Sequence, residues 1–116
     1  MALTEAFTGT RTAHEAAEHS LVDGTTGTGT ETTDGIYQLF IDFSNLTAGD
    51  EYRVRIYEQV RITDPQRLVY QSNLVGPQSP PIWVCPTLIL LNGWDMTLTK
   101  IAGVDRTITW SIRRVG

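Results

Sequence analysis

The chain has 116 residues, is 41% hydrophobic and 19% charged, and carries a formal charge of −4. That length suits one domain with one core, and that composition excludes disorder throughout. The charge is uneven: residues 1–35 hold six acids against Arg11, whereas residues 36–116 hold seven acids against eight bases. Neither part has the basic field that nucleic-acid binding needs.

In chain order, MALTEAF lacks the basic region and apolar run of a secretion signal, and no later stretch approaches the roughly 18 apolar residues of a membrane span. Use without secretion and without a membrane is the expectation. FTGTRT and AEHSLV read as strands or as an extended arm. The competing helix over TAHEAAEHSL, capped by Thr12 with Glu15 three residues on, has only alanine as apolar content before Leu21 and would bury little. Residues 1–35 are therefore expected to form an acidic, Thr/Gly-rich N-terminal arm, and residues 36–116 the body.

Two stretches of the arm invite chemistry. His14 and His19 flank Glu15 and Glu18, but a separation of five turns the rings about 140° apart on a helix and onto opposite faces of a strand. No metal is expected there. GTTGTGTETTDG (24–35), with threonine at six of the nine positions 25–33, lacks the Lys and the following helix of a phosphate loop. Threonine favours extended backbone and glycine permits bends, so the stretch reads as an extended joint.

Alternation starts at residue 36 and marks half-buried strands. In IYQLFIDF, Tyr37, Leu39, Ile41 and Phe43 share a face; in EYRVRIYEQVRI, Tyr52, Val54, Ile56, Val60 and Ile62 do. SNLTAGD between them predicts a hairpin turn, and Glu58 on the apolar face predicts a bulge or a strand end. ITDPQR is the next turn, RLVYQSNL a further strand with Leu68 and Tyr70 on one face, and VGPQSPP a loop or edge. IWVCPTLILL reads as a centrally buried strand bent at Pro86, with Cys85, the sole cysteine, as an inert core thiol. Asn92-Gly93 signals a hairpin into WDMTLTKI, where Met96 and Leu98 share a face. AGVDR then turns into TITWSIRRV, with Ile108, Trp110 and Ile112 inward. Six strands in the body, or eight with the arm, make a sandwich or barrel.

No serine sits in a nucleophile elbow, so neither an enzyme nor a cofactor is expected. Eight of the nine bases are arginine, and Arg53, Arg55, Tyr57 and Arg61 form a stripe on the wet face of one strand. Arginine and tyrosine are enriched at protein interfaces, and Phe7 and Arg11 of the arm join the stripe as candidate contacts. Trp83, Trp94 and Trp110 read as core or subunit-interface residues ahead of a carbohydrate platform.

DGIYQLFIDFSNLTAGDEYRVRIYEQV, LLNGWDMTLTKIAGVDRTITWSIRRV and the Thr-rich acidic N-terminal segment resemble small tailed-bacteriophage head proteins that decorate or cement the capsid shell. The resemblance implies an antiparallel, jelly-roll-like β-sandwich. It also implies a homotrimer seated on the virion surface, made in the host cytoplasm and bridging neighbouring major capsid protein subunits. Another phage part, a head-fibre base or tail protein, and a carbohydrate-binding sandwich are the alternatives.

Overall fold

A computed structural model describes residues 3–14 and 17–115. Among them are nine strands and no helix: β1 Leu3–Arg11, β2 His19–Ser20, β3 Gly35–Asp42, β4 Glu51–Glu58, β5 Arg67–Val75, β6 Ile82–Val84, β7 Leu88–Leu90, β8 Trp94–Ala102 and β9 Ile108–Val115. All pairings are antiparallel. One sheet runs β1-β9-β3, with β6 and β7 placed end to end along the far side of β3; the other runs β2-β8-β4-β5. The expected antiparallel β-sandwich is what forms. Its pairing is nested: β1 with β9, β2 with β8, β3 with β6 and β7, β4 with β5.

The alternating faces make the core. Tyr37, Leu39, Ile41 and Phe43 of the first sheet meet Tyr52, Val54, Ile56, Met96 and Leu98 of the second, with Ile108, Trp110 and Ile112 beside them. Burying each such aliphatic or aromatic side chain stabilises the fold by about 1.5–3 kcal/mol. The two strands found in the first 35 residues belong to the same structure. β1 pairs with β9 over its whole length, and Leu21 lies in the core with its carbonyl accepting from Trp110 Nε1 at 3.0 Å. Gly9 sits opposite Trp110, where a Cβ would lie 2.5 Å from the indole Cζ2. Gly9→Ala is therefore expected to destabilise by about 1–3 kcal/mol through overpacking, measured by urea unfolding against Thr8→Ala, whose exposed side chain makes it a near-neutral control.

Several local expectations are corrected. SNLTAGD does not close a hairpin: it carries the chain from β3 in one sheet to β4 in the other. The corner is held by Asp50, which accepts from Thr47 N, Val104 N and Arg106 Nε at 2.9, 3.3 and 2.7 Å. Gly103 there has a φ of +89°, and a Cβ on it would collide with Asp50. Asn92-Gly93 is likewise a corner between sheets, because neither residue takes the positive φ that a two-residue hairpin turn demands. Gly93 is needed for close approach instead, since a Cβ would strike Gln59 and Thr30. ITDPQR does form the β4–β5 hairpin.

Glu58 turns out to mark both of its alternatives. The register slips between Ile56 and Tyr57, and the strand ends at Glu58, whose carboxylate accepts from Leu91 N and Asn92 N. Val60 and Ile62 consequently leave the apolar face and stand out in solvent. IWVCPTLILL is no central strand: Pro86, lacking an N–H, splits it into the two short edge strands β6 and β7, and this raises the strand total above the expected eight. Cys85 between them is buried as expected, with Sγ taking the Leu39 N–H at 3.1 Å. Burial pushes its thiol pKa up.

Candidate interaction surface

The Thr-rich stretch is folded against the second sheet. Ser20 N donates to Thr25 O, Gly27 N to Glu18 O, and Glu31 and Trp94 exchange backbone hydrogen bonds at 2.7 and 2.9 Å. Gln66 Nε2 donates to Gly29 O at 2.9 Å. Residues 18–31 thereby cover β8, so that Trp94 to Thr99 are buried on both faces of the sheet. Threonine and glycine suit this layer because it lies flat and makes its contacts mostly through backbone.

Two carboxylates clamp it. Asp95, facing outward from β8 yet 1% exposed, accepts from Ser20 Oγ at 2.8 Å and Gly29 N at 2.7 Å. Burial pushes its carboxyl above the ordinary range, against the pull of those two hydrogen bonds. Glu18 accepts from Tyr57 Oη at 2.8 and 2.6 Å and from Thr97 Oγ1, with Arg55 Nη1 at 3.7 Å. Hydrogen bonds to a charged group contribute about 1.5–3 kcal/mol. Glu18→Ala is accordingly expected to cost about 2 kcal/mol in urea unfolding, and Tyr57→Phe less, because Thr97 and Arg55 still hold the carboxylate.

This accounts for much of the acidic arm and redistributes the Arg/Tyr stripe. Arg55 is held by Glu18 and by Gln71 Oε1 at 2.7 Å, and Tyr57 by Glu18. Arg53 is half-buried on the same face, with Nε buried and without a hydrogen-bond partner. Arg61 lies off the strand in the β4–β5 loop, 79% exposed and paired to Asp64 at 3.1 Å. Phe7 faces inward, edge-on to Trp94 with centroids 6.1 Å apart, and Arg11 donates to Ala13 O and His19 Nε2. Of the six expected contact residues, Arg61 alone stands largely exposed; the other five are half-buried.

The histidines are set apart. His14 Nε2 meets the carbonyls of Arg106 and Arg11 at 2.8 and 3.2 Å, its ring edge-on to Tyr52; burial holds its pKa down. The His19 ring faces Trp110. Among the described residues, which exclude Glu15, no three His, Cys, Asp or Glu side chains are grouped as metal ligands. Trp94 and Trp110 are buried and Trp83 is half-buried against Tyr70, so no pair of exposed tryptophans forms a platform.

Exposed apolar groups gather in two places that sequence reasoning did not single out. On the outer face of the first sheet, Ile36 pairs with Ile89, Phe40 with Val84 and Asp42 with Ile82. Phe40 lies under Arg113, whose guanidinium carbon is 3.8 Å from the ring centroid. Beside it opens a groove of about 590 Å³ lined by Thr8, Thr10, Phe40, Asp42, Ile82 and Ser111 among others. At the loop end of the sandwich, Val60 and Ile62 are each 78% exposed and Leu91 60%. The legible signal for the second was VRI running into TDP: the alternation continues past the point where the turn residues stop the strand.

No family model, curated protein or solved structure matches the chain.

Proposed function

We propose that the chain is a virion structural protein that decorates a tailed-phage capsid and cements it by bridging neighbouring major capsid subunits, without catalysis. The placement of its exposed apolar side chains supports this reading most. A domain that acts alone rarely gathers Ile36, Val84 and Ile89 on one sheet face and Val60, Ile62 and Leu91 on one loop end, whereas an assembling subunit buries such patches against its neighbours. The nested strand pairing, first with last and inward from there, supports a jelly-roll-like reading of the sandwich, an architecture used by capsid and lectin domains. Fold alone does not fix function. The phage assignment draws on the resemblance of the sequence to capsid decoration proteins.

The inward tryptophans weigh against the carbohydrate-binding alternative, which needs exposed coplanar rings. The test is co-sedimentation of the purified protein with shells assembled from the major capsid protein of the same phage. Saturable pelleting at a fixed ratio to capsid subunits is expected, weakened by Val84→Asp or Ile89→Asp. Protein left in the supernatant at micromolar concentration would overturn the proposal.

A further inference from the structure

We propose that copies of this chain associate head to tail, the apolar loop end of one copy seating in the groove on the outer face of the first sheet of the next. The inference rests on the reading of the protein as an assembling structural subunit and names the contact through which its copies join.

The loop end is shaped as an insert. Val60, Ile62 and Leu91 project at 78%, 78% and 60% exposure, yet the backbone beneath them is braced. Asn92 Nδ2 donates to the carbonyls of Gln59 and Val60 at 3.0 and 3.1 Å, Gln59 Nε2 donates to Asp64 O at 2.7 Å, and Leu91 N donates to Glu58 at 2.7 Å. Aliphatic side chains held out on a rigid loop lose little freedom on docking, so more of their burial appears as affinity.

The groove is shaped as a receptor. Its volume of about 590 Å³ is ample for two or three aliphatic side chains, and Phe40 and Ile82 supply apolar wall. Its rim carries the carboxylates of Glu5 and Asp42. The hydrogen bonds from Ser44 hold the Asp42 carboxyl below the usual range, so it is charged at neutral pH. Arg113, the groove's one base, is laid over Phe40 and points Nε toward Ser111 Oγ. Arg61, between Val60 and Ile62, brings the complementary charge. Among the described residues its carboxylate partner is Asp64, a partly buried i,i+3 neighbour gripped by Nε and Nη2 at 3.1 Å each, which leaves Nη1 to meet the rim of the next copy.

The two surfaces cannot meet within one chain. The loop end lies beside Glu58 and Trp94, level with Gly35 at the start of β3, while the groove opens by Asp42 at its end. Those ends are about 23 Å apart at the rise of a strand. Because different patches meet, the contact is heterologous and is satisfied for every copy only in a closed ring.

The test uses the full chain with its buried Cys85 as the background thiol. Ile62→Cys and Thr10→Cys variants, mixed under mild oxidation, are expected to give a disulfide-linked pair that neither variant gives alone. In sedimentation equilibrium at up to about 100 µM, wild type is expected to associate, and Ile62→Asp and Ile82→Asp to be monomeric with unchanged melting temperatures. A monomeric wild type, association indifferent to both Asp substitutions, or Ile62→Cys linking only to itself would overturn the proposal. Shell binding by a protein that stays monomeric sinks this contact and leaves the functional proposal standing; association without shell binding does the reverse.

Discussion

Trp94→Ala is expected to lower the unfolding free energy by about 3–5 kcal/mol, a large fraction of the 5–15 kcal/mol typical of a domain. Trp94 starts β8 and is fully buried, with Tyr37 4.4 Å and Phe7 6.1 Å away between ring centroids. Its Nε1 donates to Thr33 O at 3.1 Å, and Tyr37 Oη donates to the same carbonyl at 2.8 Å. The ring therefore joins both sheets and the end of the Thr-rich layer at one point. Truncation removes about the largest apolar group in the core and leaves a cavity that three separate segments would have to move to fill. Trp94→Phe keeps much of the volume and removes only the indole N–H, leaving Thr33 O its bond from Tyr37 Oη, and should cost less. Urea unfolding measures both; a loss below about 1 kcal/mol for the alanine variant would contradict this packing.

Asp95→Ala is expected to cost about 2–4 kcal/mol, since it strips the acceptor from the buried Ser20 Oγ and the half-buried Gly29 N. Its titration gives a second, signed readout. Burial raises the folded-state pKa of Asp95 above its unfolded value, so its contribution is fully present below the unfolded pKa of about 3.9 and is lost as pH rises through the folded pKa. Asp50 runs the other way. The Thr47 N–H, ahead of Arg106, holds its carboxyl down, so its contribution is present above the unfolded pKa and is lost as pH falls through the folded one. As pH falls from about 7 to about 4, Asp95→Asn should lose stability more steeply than wild type; below about pH 4, Asp50→Asn should lose it less steeply. Matching slopes for the two variants would contradict the assignment of the two carboxylates.

The sheets were legible because each core strand alternates cleanly: Tyr37 to Phe43, Tyr52 to Ile56 and Ile108 to Ile112 need only a period of two to be placed inward. The corners were not. SNLTAGD and Asn92-Gly93 carry turn chemistry, but turn chemistry says that a chain bends and not whether it returns to the same sheet. Here Asp50 with Arg106 and Gly103, and Gln59 with Gly93, turn those bends across the sandwich through contacts from residues far along the chain. IWVCPTLILL misled for a similar reason. A run of apolar residues signals two covered faces, yet β6 and β7 lie at an edge and keep Ile82, Val84 and Ile89 exposed. That mismatch between hydrophobic sequence and exposed position is what motivates the proposed interface. The clamp residues Glu18 and Asp95 gave no signal in one dimension, since each is an ordinary acid until the layer over β8 closes on it.

Cementing makes a demand beyond binding: a subunit that bridges capsid proteins must make the shell harder to open. The most direct measurement is the temperature at which DNA-filled shells admit an intercalating dye, with and without saturating protein. The account predicts a clear upward shift in the presence of the wild-type chain and a smaller one with Val84→Asp or Ile89→Asp. Shells that open at the same temperature with the protein bound to saturation would contradict it.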